Sequence, residues 1–198
     1  MALSLRKHQL ILEAAVAAFL DNGYSSTSMD EVARRAGVSK RTVYRHFASK
    51  ADLFEAIAHQ AFAQFKAAYE TGFEPGRPIQ DQLGAIARTE GALFTSERFM
   101  RLGAVLWAET YRDPDLAARV PRFQDDSDAL AGFMADAMAA GVLRKADPRR
   151  ASSHFKALLK AEGFWPHLVR GEVVPTDKMA VIEAEAVALF LSHYGPEG

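Results

Sequence analysis

Apolar residues recur along the chain at spacings of three and four, and no stretch sustains the period-two alternation of a half-buried strand. The pattern predicts an all-α fold of about nine helices. Leu12, Ala15, Val16 and Phe19 form one face of a first helix, with Ser4 placed to cap its start and Asn22-Gly23 to end it. Two short helices follow. The next begins near Ser49, where Ser49 and Asp52 make a carboxylate version of the capping box, and its inner face is Leu53, Ile57, Phe62 and Phe65. Gly72, Pro75, Gly76 and Pro78 mark the clearest loop, over 71–78. Beyond it the pattern predicts helices over 79–94, 96–111, 115–140, 148–169 and 176–194, with Pro121 and Pro166 bending or interrupting two of them.

Composition narrows this picture. A chain of 198 residues buries a sufficient core without staples, and with 0 Cys it has neither disulfides nor thiolate chemistry. That usage suits a reducing compartment, so the expectation is cytoplasmic. Arg6-Lys7-His8 followed by apolar residues superficially looks like a secretion signal, but Glu13 interrupts the run just after Leu10, Ile11 and Leu12. No apolar run approaches the roughly 20 residues that span a bilayer, so no membrane partner is expected.

The net charge of -1 conceals a polarised molecule. Residues 1–50 carry eight basic side chains (Arg6, Lys7, Arg34, Arg35, Lys40, Arg41, Arg45, Lys50) against four acidic ones (Glu13, Asp21, Asp30, Glu31), a balance of +4 that leaves the remainder near -5. A basic head on an acidic body is what phosphate binding by one end requires.

The head also contains a pattern with a mechanical reading. Residues 29–36 make a helix of about two turns, Gly37-Val38-Ser39 a tight turn, and residues 40–47 a second helix. Gly37 tolerates the left-handed backbone of the turn, Ala33 is small enough for a close crossing, and Ser39 caps the second helix, as Thr27 and Ser28 can cap the first. At about 100° per residue, Val43 and Phe47 fall on the buried side of the second helix. Arg41, Thr42 and Arg45 point away from it and can enter a major groove, where arginine suits guanine edges. Tyr44 and His46 lie on the flanks, facing the sugar-phosphate walls. Arg34 and Arg35 are read as solvated charges, with proximity to the groove as the alternative.

Gly23-Tyr24-Ser25-Ser26-Thr27-Ser28-Met29, then Ala33, Ala36-Gly37-Val38-Ser39, Thr42-Val43-Tyr44-Arg45-His46-Phe47, Lys50 and Leu53-Phe54, resembles the TetR family of bacterial regulators. The resemblance covers residues 8–58 with many positions in order and spacing. It implies base-facing roles for Lys40, Arg41, Thr42 and Arg45, and phosphate-facing roles for Ser28, Tyr44, His46 and Lys50. It further implies a DNA-binding domain over 1–50 and a helical ligand-binding and dimerisation domain over 51–198. Trp107-Ala108-Glu109, Tyr111 to Pro114, Gly141-Val142-Leu143 and Asp147-Pro148 resemble the AefR-like subgroup.

The body is rich in aromatics, which include Phe99, Phe123, Phe155, Phe164 and Trp165, and most of them are expected to be ordinary core. A pocket for an apolar or amphipathic effector is expected among Phe62, Phe65, Phe94, Leu106, Trp107, Tyr111, Phe133 and Met134, with Glu90, His154 or Glu109 as polar anchors. The last two helices, carrying Phe155, Leu158, Leu159, Val181, Ala184, Ala188, Leu189 and Leu191, are expected to pair with a second copy in a four-helix bundle. The implied partners are thus double-stranded operator DNA, a small effector and a homodimeric mate, and the implied activity is repression.

Other classes fit less well. The 6 His show neither HExxH nor paired Glu-x-x-His spacing, and no phosphate loop or Gly-x-Ser-x-Gly elbow occurs, so no catalytic residue, metal site or cofactor is expected. A helical protein-binding adaptor would not need the basic set at Lys40, Arg41, Arg45 and Lys50.

Overall fold

The structure is a computed structural model that describes residues 2–120 and 128–196. Its described residues are all-helical, in eleven segments: α1 (Ala2–Asn22), α2 (Met29–Arg35), α3 (Lys40–His46), α4 (Lys50–Tyr69), α5 (Ile79–Phe94), α6 (Glu97–Arg112), α7 (Pro114–Arg119), α8 (Asp128–Ala139), α9 (Pro148–Gly163), α10 (Trp165–Arg170) and α11 (Thr176–Tyr194). Two helices expected to be continuous are divided. Asp113 caps α7 by accepting from the amides of Asp115 and Leu116, with Pro114 in the first turn, and the extended backbone of Val120 ends it, so a separate short helix stands where 115–140 had been read as one. Pro166 marks the second division. It stands in the first turn of α10, where its missing N–H costs nothing, and Phe164 separates that turn from α9. Pro121 and Phe123 lie outside the described residues. Ser4 is no cap: α1 already runs from Ala2, and a capping residue must stand outside the helix it closes.

The described residues form two compact units, one of 2–62 with 101–120 and the other of 63–100 with 128–196. In the first, the apolar face of α1 (Ile11, Ala15, Phe19) meets Val32 and Ala33 of α2, Val43 of α3, Leu53, Phe54 and Ile57 of α4, Leu102 and Leu106 of α6, and Leu116 of α7. Fully burying a phenylalanine of this kind contributes about 1.5–3 kcal/mol. The turn between α1 and α2 is closed by Thr27, whose buried hydroxyl reaches the carbonyls of Gly23 (2.8 Å) and Ala18 (3.1 Å). Ser49 and Asp52 cap α4 reciprocally: the Ser49 amide donates to Asp52 Oδ2 at 3.0 Å, and the Asp52 amide donates to Ser49 Oγ at 3.1 Å.

In the second unit α11 packs along α5 and α9, and α8 packs on α9. Gly91 is the close point between α5 and α11: a Cβ there would collide with the Glu183 carboxylate and lie 3.1 Å from Met179 Cγ. Phe65 meets Phe94, Phe99 and Phe164 at centroid distances of 6.2, 5.0 and 5.9 Å, and Phe155 meets Phe190 edge-on at 5.2 Å. The 71–78 loop is fastened by buried Gln82, whose side chain accepts from the Glu74 amide and donates to the carbonyls of Glu74 and Arg77. No helix among the described residues is long and apolar enough to cross a membrane.

Candidate nucleic-acid interface

The α2–α3 pair forms because each helix is capped by the residue before it. Ser28 Oγ accepts from the Glu31 amide at 3.1 Å, and Ser39 Oγ accepts from the Thr42 amide at 3.2 Å, both capping residues having extended backbone. Between them Gly37 turns the chain at φ 64°, a left-handed conformation that a side chain would strain. Val43 and Phe47 are thereby driven into the core, and the rest of α3 is turned outward.

What α3 presents is graded in availability. Arg41 and Arg45 are exposed, and neither has an ion pair among the described residues. Tyr44 is exposed beside them, with Lys40 Nζ 5.9 Å from its ring centroid. Lys40 is tied to Asp30 of α2 at 2.8 Å, a hydrogen-bonded contact that pushes its ammonium pKa up. Thr42 is half-buried and its hydroxyl lies 2.9 Å from that of Ser39. His46 packs edge-on against His8 at 5.7 Å, and its buried Nε2 has no hydrogen-bond partner. Burial above all, then Arg45, His8 and Lys7, pushes its imidazole pKa down, so it is neutral at neutral pH. Ser28 is exposed at the start of α2 while its hydroxyl serves the cap.

Lys50 has a different environment. Its ammonium donates to the carbonyls of Tyr24 (2.7 Å), Thr27 (2.9 Å) and Ser25 (3.1 Å) and sits 4.4 Å from the centroid of the Tyr24 ring. Partial burial lowers its pKa, against a raising effect of Glu109. The side chain thus clamps the turn that delivers Ser28 and α2. Lys50→Met is expected to lower the unfolding free energy by about 1–3 kcal/mol, because charge-assisted bonds to three carbonyls are lost. Urea unfolding followed by circular dichroism measures it. Unchanged stability together with uniformly weaker DNA binding would instead put Lys50 on a phosphate.

The two arginines of α2 are committed. Arg35 reaches Glu31 and Asp21, each at 2.6 Å, and Arg34 reaches Glu31 at 2.7 Å; Arg35 first and Arg34 second hold the Glu31 carboxyl below its usual range. Spacing along the chain gave no sign of one further fastening. Arg119 of α7 bonds Asp52 at 2.9 Å and Glu55 at 3.3 Å, fixing the first turn of α4 from 67 residues away.

The residues read as an effector pocket are distributed over the two units. In the first, Phe62 and Leu106 are buried, whereas Trp107 and Tyr111 are exposed, Tyr111 by 89%. Glu109 is buried there and meets Arg112 at 3.3 Å. In the second, Phe65, Phe94, Phe133 and Met134 are core. Glu90 is wholly buried, 3.5 Å from Lys160, and burial pushes its carboxyl pKa up. His154 is exposed, its Nδ1 2.7 Å from the Tyr194 hydroxyl. Among the described residues no group of three potential ligands gathers to hold a metal ion.

The segment that contains this capped helical pair is similar to known proteins. Residues 11–57 match the family described as bacterial regulatory proteins, tetR family. Residues 81–196, more than half of the chain, match the C-terminal domain of AefR-like transcriptional repressors. The chain belongs to the TetR family. Its fold is shared over 97% of its length with a putative TetR-family transcriptional regulator from Mesorhizobium loti (98% of that chain, 28% identity, TM-score 0.81). It is shared over 98% with the flavonoid-responsive regulator FrrA (99% of that chain, 29% identity, TM-score 0.75). The uncharacterised regulator YhgD of Bacillus subtilis is 36% identical over 81 residues, 41% of this chain and 42% of that relative, so that match spans less than half of the relative's length. TetR family proteins are DNA-binding transcriptional regulators, and in this chain the family's N-terminal segment is the one that contains α2 and α3.

Proposed function

We propose that this chain is a homodimeric transcriptional repressor that holds a palindromic operator and releases it when a small apolar or amphipathic effector binds. The carrying observation is the pair Arg41 and Arg45, exposed on α3 without an ion-pair partner among the described residues. A guanidinium left free in this way can donate two bonds to a guanine edge. Residues 1–50 bind DNA and residues 51–198 bind the effector and dimerise. Arg41 and Arg45 read bases, while Lys40 and Thr42 join them by exchanging Asp30 and Ser39 for DNA. Ser28 and Tyr44 face the phosphates, and His46 and Lys50 support them from the half-buried edge of the head.

One short helix contacts few base pairs, so useful specificity needs two copies spaced about 34 Å apart on one side of the duplex. Val181, Ala184, Ala188 and Leu189 are exposed along α11, an apolar stripe that supports pairing with a second copy, whereas Phe155 and Leu159 are used inside the unit. The effector is proposed to enter among the buried aromatics of the second unit, Phe65, Phe94 and Phe133, with Glu90 as polar anchor; the fold relative named for its response to flavonoids supports an apolar or amphipathic ligand. Effector and operator must then antagonise each other by the same factor.

Selection of bound sequences from a random duplex pool tests this reading. The expected product is a palindrome with half-sites about 10 base pairs apart, bound with an affinity that falls steeply as salt rises. Failure to enrich any sequence, with binding indifferent to salt, would end it.

A further inference from the structure

The second unit carries a recess of about 320 Å³ with a mainly cationic wall, lined by Arg144, Asp147, Arg150, His154, His193 and Tyr194. These residues come from three places in the chain: the stretch before α9, the first turns of α9, and the last turn of α11. Two guanidiniums and two imidazoles therefore converge with a single carboxylate. One oxygen of that carboxylate is engaged, since Asp147 Oδ1 caps α9 by accepting from the amides of Arg149 (2.9 Å) and Arg150 (3.3 Å).

The recess is built around buried Tyr194. The Arg144 amide donates to the Tyr194 carbonyl at 2.9 Å, and the Arg144 guanidinium lies 5.2 Å from the Tyr194 ring centroid. The same guanidinium contacts Nε2 of His193. On the other side the Tyr194 hydroxyl meets His154 Nδ1 at 2.7 Å. Arg144 is thereby held from its backbone, its face and its tip, and little side-chain freedom remains to be lost on binding. Its Nε–H is shielded from solvent and has no acceptor among the described residues. The bonds left for an oxyanion are therefore those of the terminal guanidinium nitrogens, which are charge-assisted donors.

We infer that this recess binds a small phosphate group, as inorganic phosphate or a phosphomonoester, between Arg144 and Arg150 with the histidines at its rim. The donors arrive from three parts of the fold rather than as one planar fork. That geometry fits a tetrahedral dianion better than a carboxylate, which a single guanidinium satisfies in its own plane. Asp147 opposes the anion, but two guanidiniums outweigh it even with both imidazoles neutral.

The test follows the ring C–H resonances of His154 and His193 by NMR while the whole protein is titrated with inorganic phosphate at constant ionic strength. Glycerol phosphate, acetate and chloride are run in parallel. Saturable shifts with phosphate or with glycerol phosphate, and none with acetate or chloride, are expected, and the two phosphate arms show which source the site prefers. Arg150 is exposed on the first turn of α9, so Arg150→Gln keeps the fold, checked by its melting curve, and binds at least about tenfold more weakly. Arg144→Lys keeps the charge without the fork and should weaken binding as well. Shifts that rise linearly, that chloride reproduces, or that survive Arg150→Gln overturn the site. Equal binding of acetate overturns the phosphate assignment. DNA is not involved, so a protein that selects no operator leaves this result unaffected.

Discussion

Replacing Arg41 and Arg45 together with alanine is expected to remove roughly 2–6 kcal/mol of affinity for the selected operator, at least about 30-fold, since each guanidinium that reads a base contributes about 1–3 kcal/mol. The fold should not suffer. Both side chains are exposed and make no ion pair among the described residues, and alanine is at least as good a helix former as arginine. The loss should be sequence-dependent: a scrambled duplex, held by phosphate contacts alone, should be bound almost as before. Lys40→Ala should cost less than either arginine, because Lys40 must first leave Asp30 at 2.8 Å before it can serve DNA. Fluorescence anisotropy with the selected and scrambled duplexes separates these cases. If both duplexes weaken equally, the two arginines grip phosphates and the assignment of base reading fails.

The parts of this interface that were legible in the sequence are those set by local chemistry. The Ser39 cap, the glycine at 37 and the burial of Val43 and Phe47 each depend on neighbours within a few residues, and periodicity with turn chemistry reaches that far. The spans of α5 and α11 were legible for the same reason, with a Pro-rich boundary or a turn at each end. The partners of the charged side chains were not. Lys50 spends its three donors on carbonyls 23 to 26 residues earlier, and Arg119 finds Asp52 and Glu55 across more than 60 residues. A charge pattern says that a cation is present, but only the folded path says whether a carboxylate or carbonyl already holds it. Arg41 and Lys40 are adjacent and alike in type, yet one is free and the other paired, a difference set by the crossing of α2 and α3.

Glu90 offers the other large effect, on stability rather than on binding. Its carboxyl is wholly buried in the second unit, and Lys160 stands 3.5 Å away, longer than a good charge-assisted hydrogen bond. Burial raises its pKa, while Lys160, the nearby Tyr69 hydroxyl and the charge of Lys156 pull the other way. Between the ordinary carboxylate value and the raised one, the folded chain holds a proton that the unfolded chain has released. Stability therefore falls as pH rises through that window and levels off above it. Lys160→Met removes the nearest compensation and raises the folded value further. The window widens, and the variant should lose on the order of 3 kcal/mol at neutral pH, as when one partner of a buried pair is deleted. Below the ordinary carboxylate range Glu90 is neutral in both states, so the deficit should shrink towards zero there. Urea unfolding of the two proteins at neutral pH and at about pH 3 measures both limits. A deficit that is the same at both would mean that lost packing of the lysine stem, not the stranded carboxylate, sets the cost, and that Glu90 is already neutral when the protein is at work.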